Sequence, residues 1–341
     1  ANTDETGVKQ RKDMKLRLDS VNNHISVLFD ISKFDDGARE VMAGLSLFAG
    51  IRIKKEVFCR ICGVADAEQK IEYLIKNGWI QYNEVTEKIS LHQVIQDMIY
   101  RKICPDASKY PAIANGMYNY MIEKPNGYTE RLVRQKVSDI FMDRISGDNL
   151  DYAKLCLAYG AYDKLDEAES ICIRSDHREA YNILAKVYMK KVKLLVACDD
   201  IYEAEEFDEY VMGRLNLVAE LFYKAVSCCE KYSDEPDYLT EEYLDIGFAM
   251  DSAIGDSLWF NFDEPVKKMD DIFNKIIEIF DKAMEWLPDT SFDDEKKEHI
   301  YEKMHSFHPV RMSKRSCIIK CRNFIHRMIL CQCIDVSIFQ I

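Results

Sequence analysis

The sequence predicts a mainly α-helical fold that contains one short β-hairpin. Helix breakers are scarce, with 13 glycines and 7 prolines among 341 residues. Through most of the chain, apolar residues recur at the three- and four-residue spacing of a helix face. Hydrophobic residues make up 48% and charged residues 31%, which is the balance of a globular chain of about two or three domains.

Charge and cysteine content restrict the environment and the partners of the chain. A net charge of −13 would repel a polyanion, so we expect no nucleic-acid partner. The 12 cysteines fall largely among apolar helical positions, which favours reduced thiols over a disulfide scaffold. There is no apolar signal sequence near Ala1 and no window of ~18 apolar residues. These features predict a cytoplasmic location and no membrane partner.

The first part of the chain predicts a linker followed by a compact domain. Residues 1–33 read as a linker and helix that come from a preceding module. Residues 34–105 predict three helices, which begin at Asp35-Asp36, near Val57 and near Asp66. Two strands follow at 79–82 and 88–91, joined by a polar turn.

A fourth helix is predicted from His92 to about Cys104, where Pro105 ends it. The apolar residues expected to point inward on this helix are Val94, Ile95, Met98 and Ile99. Three helices, a β-hairpin and a further helix, in this order, predict a winged-helix domain over residues 34–105.

The rest of the chain predicts helical hairpins. Residues 106–150 are expected to be a helical connector, and residues 151–290 a degenerate tetratricopeptide-like array of α-hairpins. Two segments of this array end on similar phrases, LFYKAV at Leu221–Val226 and IFDKAM at Ile279–Met284. Residues 291–341 end in a basic, cysteine-rich segment whose architecture the pattern does not predict.

The sequence contains no recognisable catalytic site, so we expect the chain not to be an enzyme by itself. None of its glycines precedes the Lys-Ser or Lys-Thr pair that a phosphate-binding loop requires. We also predict no metal site, because Cys59 and Cys62 lack a second pair at ligand spacing. Zinc remains an alternative for a second group near the C-terminus, which comprises His305, His308, Cys317, Cys321, His326, Cys331 and Cys333.

The predicted winged helix has an even charge balance. Ten acidic and ten basic residues fall between positions 34 and 105. The third helix, which would enter the major groove, carries Asp66, Glu68 and Glu72 against Lys70 and Lys76. This balance leaves no excess of positive charge to release counterions from DNA.

Four runs in the first hundred residues resemble a known family when taken together. They are FDISKFD at 29–35, AGLSLF at 43–48, LIKNGWI at 74–80 and ISLHQVIQDMI at 89–99. The combination resembles the winged-helix part of the bacterial NB-ARC proteins, which are STAND signal-transduction ATPases. The resemblance covers residues 24–105, and it implies an upstream ATPase module that is absent from this chain but belongs to a longer parent.

The resemblance also implies a role for His92. The family's Met-His-Asp motif corresponds to Leu91, His92 and Gln93, so its first and third residues differ here. In the family this histidine contacts the β-phosphate of ADP and holds the molecule closed. His92 is therefore the predicted cofactor-binding residue. ADP or ATP is expected in the full-length parent, and no cofactor is expected in this chain alone.

The leading hypothesis is a regulatory and protein-interaction fragment of a STAND-type ATPase. Its winged helix would relay the nucleotide state, and its repeats would bind a protein or peptide trigger. The alternative is a winged-helix transcription regulator with a helical-repeat sensor domain. A plain scaffold in which His92 has no function is a third possibility.

Overall fold

A computed structural model describes residues 34–197, 207–257 and 263–302. The predicted linker at 1–33 and most of the predicted C-terminal segment at 291–341 lie outside these residues. The chain divides into two compact units, the first ending at Val187 and the second beginning at Tyr188.

The first unit is helical apart from a small sheet. In chain order its elements are α1 (Asp36–Ser46), β1 (Ile53–Lys54), α2 (Lys55–Cys62), α3 (Ala67–Lys76), β2 (Ile80–Asn83), β3 (Lys88–Leu91), α4 (Gln93–Ile103), α5 (Pro111–Ile122), α6 (Tyr128–Met142), α7 (Leu150–Tyr159) and α8 (Tyr162–Arg174). Helix α9 (Glu179–Ala197) begins in this unit and continues into the second. The predicted mainly α-helical fold is confirmed.

Local signals in the sequence explain where several of these helices begin and end. The Asp35 carboxylate accepts a hydrogen bond from the backbone N–H of Ala38 at 2.8 Å and so caps α1. Gly63 ends α2 with φ of +62°, a left-handed conformation that glycine adopts without steric cost. The hairpin predicted after α3 is present as β2 and β3.

The sheet has a third strand that the sequence did not predict. Strand β3 lies between β1 and β2, and both pairings are antiparallel. Ile53 of β1 is opposite Ile89, and both side chains are buried. Because β1 has only two residues, it is too short to show the alternation that identifies a strand.

One continuous core joins the sheet, α1, α2 and α4 to the helices that follow. The ring centroid of Phe48 lies 6.0 Å from that of Phe58 in α2 and 5.7 Å from that of Phe141 in α6. Helices α2 and α5 approach so closely that a Cβ on Gly116 would lie 2.1 Å from the carbonyl oxygen of Ile61. Only a glycine permits this crossing distance.

The prediction that Val94 points inward is wrong. Ile95, Met98 and Ile99 are buried, whereas 39% of the Val94 surface is exposed. Helix α4 begins at Gln93, so Val94 lies in its first turn at the edge of the buried arc. The start of α4 therefore presents an apolar side chain to solvent.

Helices α7 and α8 form an antiparallel pair around one buried tyrosine. Gly160 turns the chain between them with φ of +78°. The hydroxyl of Tyr152 donates to Glu167 Oε2 at 2.7 Å, and Lys164 Nζ donates to that hydroxyl at 3.2 Å. This pair occupies the start of the region in which the sequence predicts α-hairpins.

The second unit contains α10 (Phe207–Tyr232), α11 (Pro236–Ser257), α12 (Asp263–Trp286), a 3-10 turn (Leu287–Asp289) and a helix at 294–302. Helices α11 and α12 pack closely where Gly247 meets the ring of Phe280. The two related phrases lie near the C-terminal ends of α10 and α12. The first two residues and the fifth of each phrase are buried: Leu221, Phe222 and Ala225 in α10, and Ile279, Phe280 and Ala283 in α12.

Among the residues that the structure describes, no helix combines the length and the apolar character that a bilayer crossing needs.

Candidate functional site at the start of helix α4

His92 lies between β3 and α4 and caps the helix. Its side chain is exposed, and its backbone is extended, with φ of −63° and ψ of 137°. Nδ1 accepts a long hydrogen bond from the backbone N–H of Val94 at 3.4 Å, and the His92 carbonyl accepts one from Gln96 at 2.9 Å. Because Nδ1 accepts this bond, Nε2 is the ring nitrogen that faces a group outside α4 as a donor.

The residues on either side of His92 divide between core and surface. Leu91 is buried and pairs with Ile80 across the sheet, which fixes the end of β3. Gln93 and Val94 are exposed. Of Leu91, His92 and Gln93, the first is therefore a core residue, and the other two face solvent.

Helix α4 is attached to α1 near its N-terminal end. The buried Gln96 amide donates to the carbonyl of Leu45, at the C-terminal end of α1, at 3.1 Å. A buried polar group that has its hydrogen bond fixes the position of the helix, because breaking the bond leaves an unsatisfied carbonyl.

At the C-terminal end of α4, Tyr100 and Arg144 make a second attachment. The Tyr100 hydroxyl donates to the backbone carbonyl of Arg144 at 2.8 Å. The Arg144 guanidinium lies 4.0 Å from the centre of the Tyr100 ring and 3.7 Å from the carboxylate of Asp97. Sequence reasoning missed this pair, because 44 residues separate the partners and no local pattern relates them.

The outer face of α3 carries carboxylates that hold a lysine from outside the helix. Lys55 Nζ lies 2.8 Å from Glu68 and 3.0 Å from Glu72. The hydrogen bond to Glu68 is the main cause that raises the pKa of Lys55 to about 12. Lys70 of α3 is itself paired with Asp35 at 2.5 Å. Phosphates approaching α3 would therefore meet carboxylates and a lysine that is already paired.

The cysteine pair of α2 consists of a half-buried thiol, Cys59, and a buried one, Cys62. Burial raises the pKa of the Cys62 thiol to about 12 and also raises that of Cys59. Burial thus disfavours the thiolate form, which is the form that a metal binds, when no metal is present. Within the described parts of the chain, no three His, Cys, Asp or Glu side chains are grouped to hold a metal ion. The candidate zinc group from His305 to Cys333 lies outside them.

A scan against protein-family models, a search of curated proteins and a search of solved structures each found no match. The resemblance to the NB-ARC proteins therefore stays a prediction, and so does the role of His92 that it implies.

Proposed function

We propose that this chain is the regulatory and protein-interaction part of a STAND-type signalling ATPase. In this proposal residues 34–105 are a winged helix that relays the nucleotide state of an upstream ATPase module. Residues 151–290 are degenerate tetratricopeptide-like repeats that bind a protein or peptide trigger. The chain itself supplies no catalytic group.

The order of elements and the sheet topology support a winged helix. Helix α1, strand β1, helices α2 and α3, and the β2–β3 hairpin follow one another, and β3 lies in the middle of the sheet. The turn at 84–87 between β2 and β3 corresponds to the wing. Helix α4 then leads from this sheet into the connector.

The antiparallel helix pairs support the repeat proposal. Helices α7 and α8 pack against each other around Tyr152, and α11 and α12 pack around Gly247. Stacked helix pairs expose extended surfaces that suit protein or peptide ligands.

The main support for the proposal is the position of His92. Its exposed imidazole lies at one end of α4, and the other end of this helix is attached to the connector. An imidazole N–H beside a helix N-terminus favours an anion such as a phosphate. His92 supplies one donor, so the other contacts to a nucleotide must come from the module outside this chain. A contact at His92 would reach α1 through Gln96 and the connector through the Tyr100–Arg144 pair.

The proposal makes a first prediction about the longer gene product. Its reading frame should encode a loop ending in Gly-Lys-Ser or Gly-Lys-Thr upstream of Ala1, because the relay needs a nucleotide-binding partner. Sequencing the full reading frame tests this, and a frame that lacks such a loop refutes the proposed function.

The second test compares two histidines in the full-length protein. His92→Ala should speed the release of bound ADP by about tenfold or more, because one hydrogen bond to a charged group is lost. His177→Ala is the matched control, since His177 is also exposed and accepts from the N–H two residues later, at 3.2 Å. Release is measured with a fluorescent ADP analogue in stopped flow.

Two results would contradict the proposal. Equal ADP release from the His92→Ala, His177→Ala and native proteins would remove the relay role of His92. Salt-sensitive binding of duplex DNA by the 341-residue chain in a mobility-shift assay would instead support a transcription regulator.

A further inference from the structure

Helix α6 exposes an apolar and basic surface that the proposed function does not use. This surface, called the α6 outer face below, comprises Tyr128, Arg131, Leu132, Val133 and Lys136. The exposed fractions of the three apolar side chains are 75% for Tyr128, 52% for Leu132 and 55% for Val133. Isolated exposed apolar residues are common on protein surfaces, but three within two turns of one helix form an exposed apolar cluster.

Helix geometry brings these five residues together. Tyr128, Leu132 and Lys136 are spaced four residues apart and lie on one side of the helix. Arg131 follows Tyr128 by three residues, and Val133 precedes Lys136 by three. Around the helix, Arg131 therefore lies beside Tyr128 and Lys136 lies between Leu132 and Val133, so basic and apolar side chains are interspersed on a helix about 22 Å long, at about 1.5 Å per residue.

The opposite side of α6 holds the helix firmly in place. Val137 and Phe141 are buried. Arg134 is also buried, and it pairs with Glu130 at 2.6 Å and with Glu123 at 3.1 Å. The outer face is therefore presented by a fixed helix, which lowers the entropic cost of binding.

Both acidic side chains of α6 are already engaged by other residues. Glu130 is bonded to Arg134, and Asp139 accepts hydrogen bonds from Gln135 at 2.7 Å and from Tyr159 at 2.9 Å. Arg131 and Lys136, by contrast, form no ion pair with any residue in the described parts of the chain. The outer face is thus locally basic on a chain whose net charge is −13.

We propose that the α6 outer face binds an acidic amphipathic helix of a partner protein. Apolar side chains of that helix would cover Tyr128, Leu132 and Val133, and its carboxylates would pair with Arg131 and Lys136. A bound peptide helix interacts only with charges within about one Debye length of the face, roughly 8 Å at physiological salt. An anionic membrane is broader, and the net negative charge of the chain would repel it. The charge distribution therefore favours the peptide.

This proposal does not rest on the proposed function, since all five residues lie outside 34–105 and 151–290. Its test uses a displayed library of random 16-residue peptides, selected on the immobilised 341-residue chain at low salt. Enriched peptides are then synthesised, and their affinities for the chain are measured by fluorescence anisotropy. The selection should enrich acidic sequences with apolar residues three and four positions apart.

Variants of the chain assign the binding to the face. Leu132→Asp should weaken the selected peptides at least about tenfold, as for a central interface residue. Arg131→Glu combined with Lys136→Glu should weaken them further and remove their salt dependence. Ile173→Asp is the matched control, because Ile173 of α8 is 63% exposed and lies outside the face. It should leave the affinity unchanged.

Four outcomes would overturn the proposal. The first is a selection that yields neutral or basic peptides, or none whose binding depends on Leu132. The second is retained binding by Leu132→Asp when its thermal unfolding matches that of the native chain. The third is binding to phosphatidylserine vesicles that Leu132→Asp abolishes, which would assign the face to a membrane surface. The fourth is a dimer in sedimentation experiments that the same variant dissociates.

Discussion

The crossing of α2 and α5 at Gly116 gives a sharp test of the fold. A Cβ at Gly116 would lie 2.1 Å from the Ile61 carbonyl oxygen and 3.0 Å from the Arg60 carbonyl oxygen. A carbon–oxygen contact normally needs about 3.3 Å, so Gly116→Ala must push the two helices apart by about 1 Å. Both obstructing atoms are backbone atoms of α2, so rotating a side chain cannot relieve the clash.

The expected change in the free energy of unfolding combines two opposing effects. Alanine in a helix interior is about 1 kcal/mol more favourable than glycine. Overpacking a well-packed contact costs about 1–3 kcal/mol. The upper part of that range applies here, because separating α2 from α5 also loosens the buried contacts of Phe58, Ile61 and Ile113. We expect Gly116→Ala to destabilise the first unit by about 1–2 kcal/mol net.

Gly37→Ala is the matched control for this measurement. Gly37 also lies in a helix of the first unit, and a Cβ there would meet no heavy atom closer than 3.4 Å. This control should be as stable as the native chain or slightly more stable. Urea unfolding followed by circular dichroism at 222 nm measures both variants. If Gly116→Ala proves as stable as Gly37→Ala, the close approach of α2 and α5 is refuted.

Two tyrosine variants test contacts of α4 and α6, with the exposed Tyr73→Phe as their shared control. Tyr100→Phe should lower the free energy of thermal unfolding by about 1 kcal/mol, because it loses the hydrogen bond to Arg144 but keeps the ring under the guanidinium. Burial, together with the hydrogen bond to Asp139, raises the pKa of Tyr159 from 10.0 to about 12. A raised pKa stabilises the fold below pH 10, and that contribution is lost as the pH rises through 12. In urea unfolding, the native chain should therefore have a higher free energy of unfolding than Tyr159→Phe, by an amount that is constant at pH 7–9 and disappears near pH 12. A pH-independent difference would contradict this.

Strong local signals allowed much of the first unit to be predicted. Asp35 and Gly63 mark the ends of their helices by capping and by a left-handed φ, and both effects depend on residue type. The hairpin was predictable because strand-forming residues flank a polar turn. The position of His92 followed from the same turn, since a helix that begins directly after β3 places its cap there.

The features that escaped prediction depend on tertiary contacts. Strand β1 exists because Ile53 and Lys54 pair with β3, and two residues cannot show a period. Val94 and its neighbours have the spacing of a buried face, yet spacing does not reveal how far the packed elements extend over the first turn of α4. The α6 outer face was missed for a related reason, because Leu132 and Val133 are apolar and a sequence pattern assigns apolar residues to the core.

The attachments of α4 set a limit on what a contact at His92 can do. A hydrogen bond to a charged phosphate contributes about 1.5–3 kcal/mol, which corresponds to a shift of roughly 10- to 150-fold between two conformations. This bias reaches the connector only if α4 moves as one body, because Gln96 and Tyr100 otherwise keep their partners regardless of His92. Tyr100→Phe should therefore reduce the effect of His92→Ala on ADP release in the full-length protein. Additive effects of the two substitutions would mean that the far end of α4 takes no part in the relay.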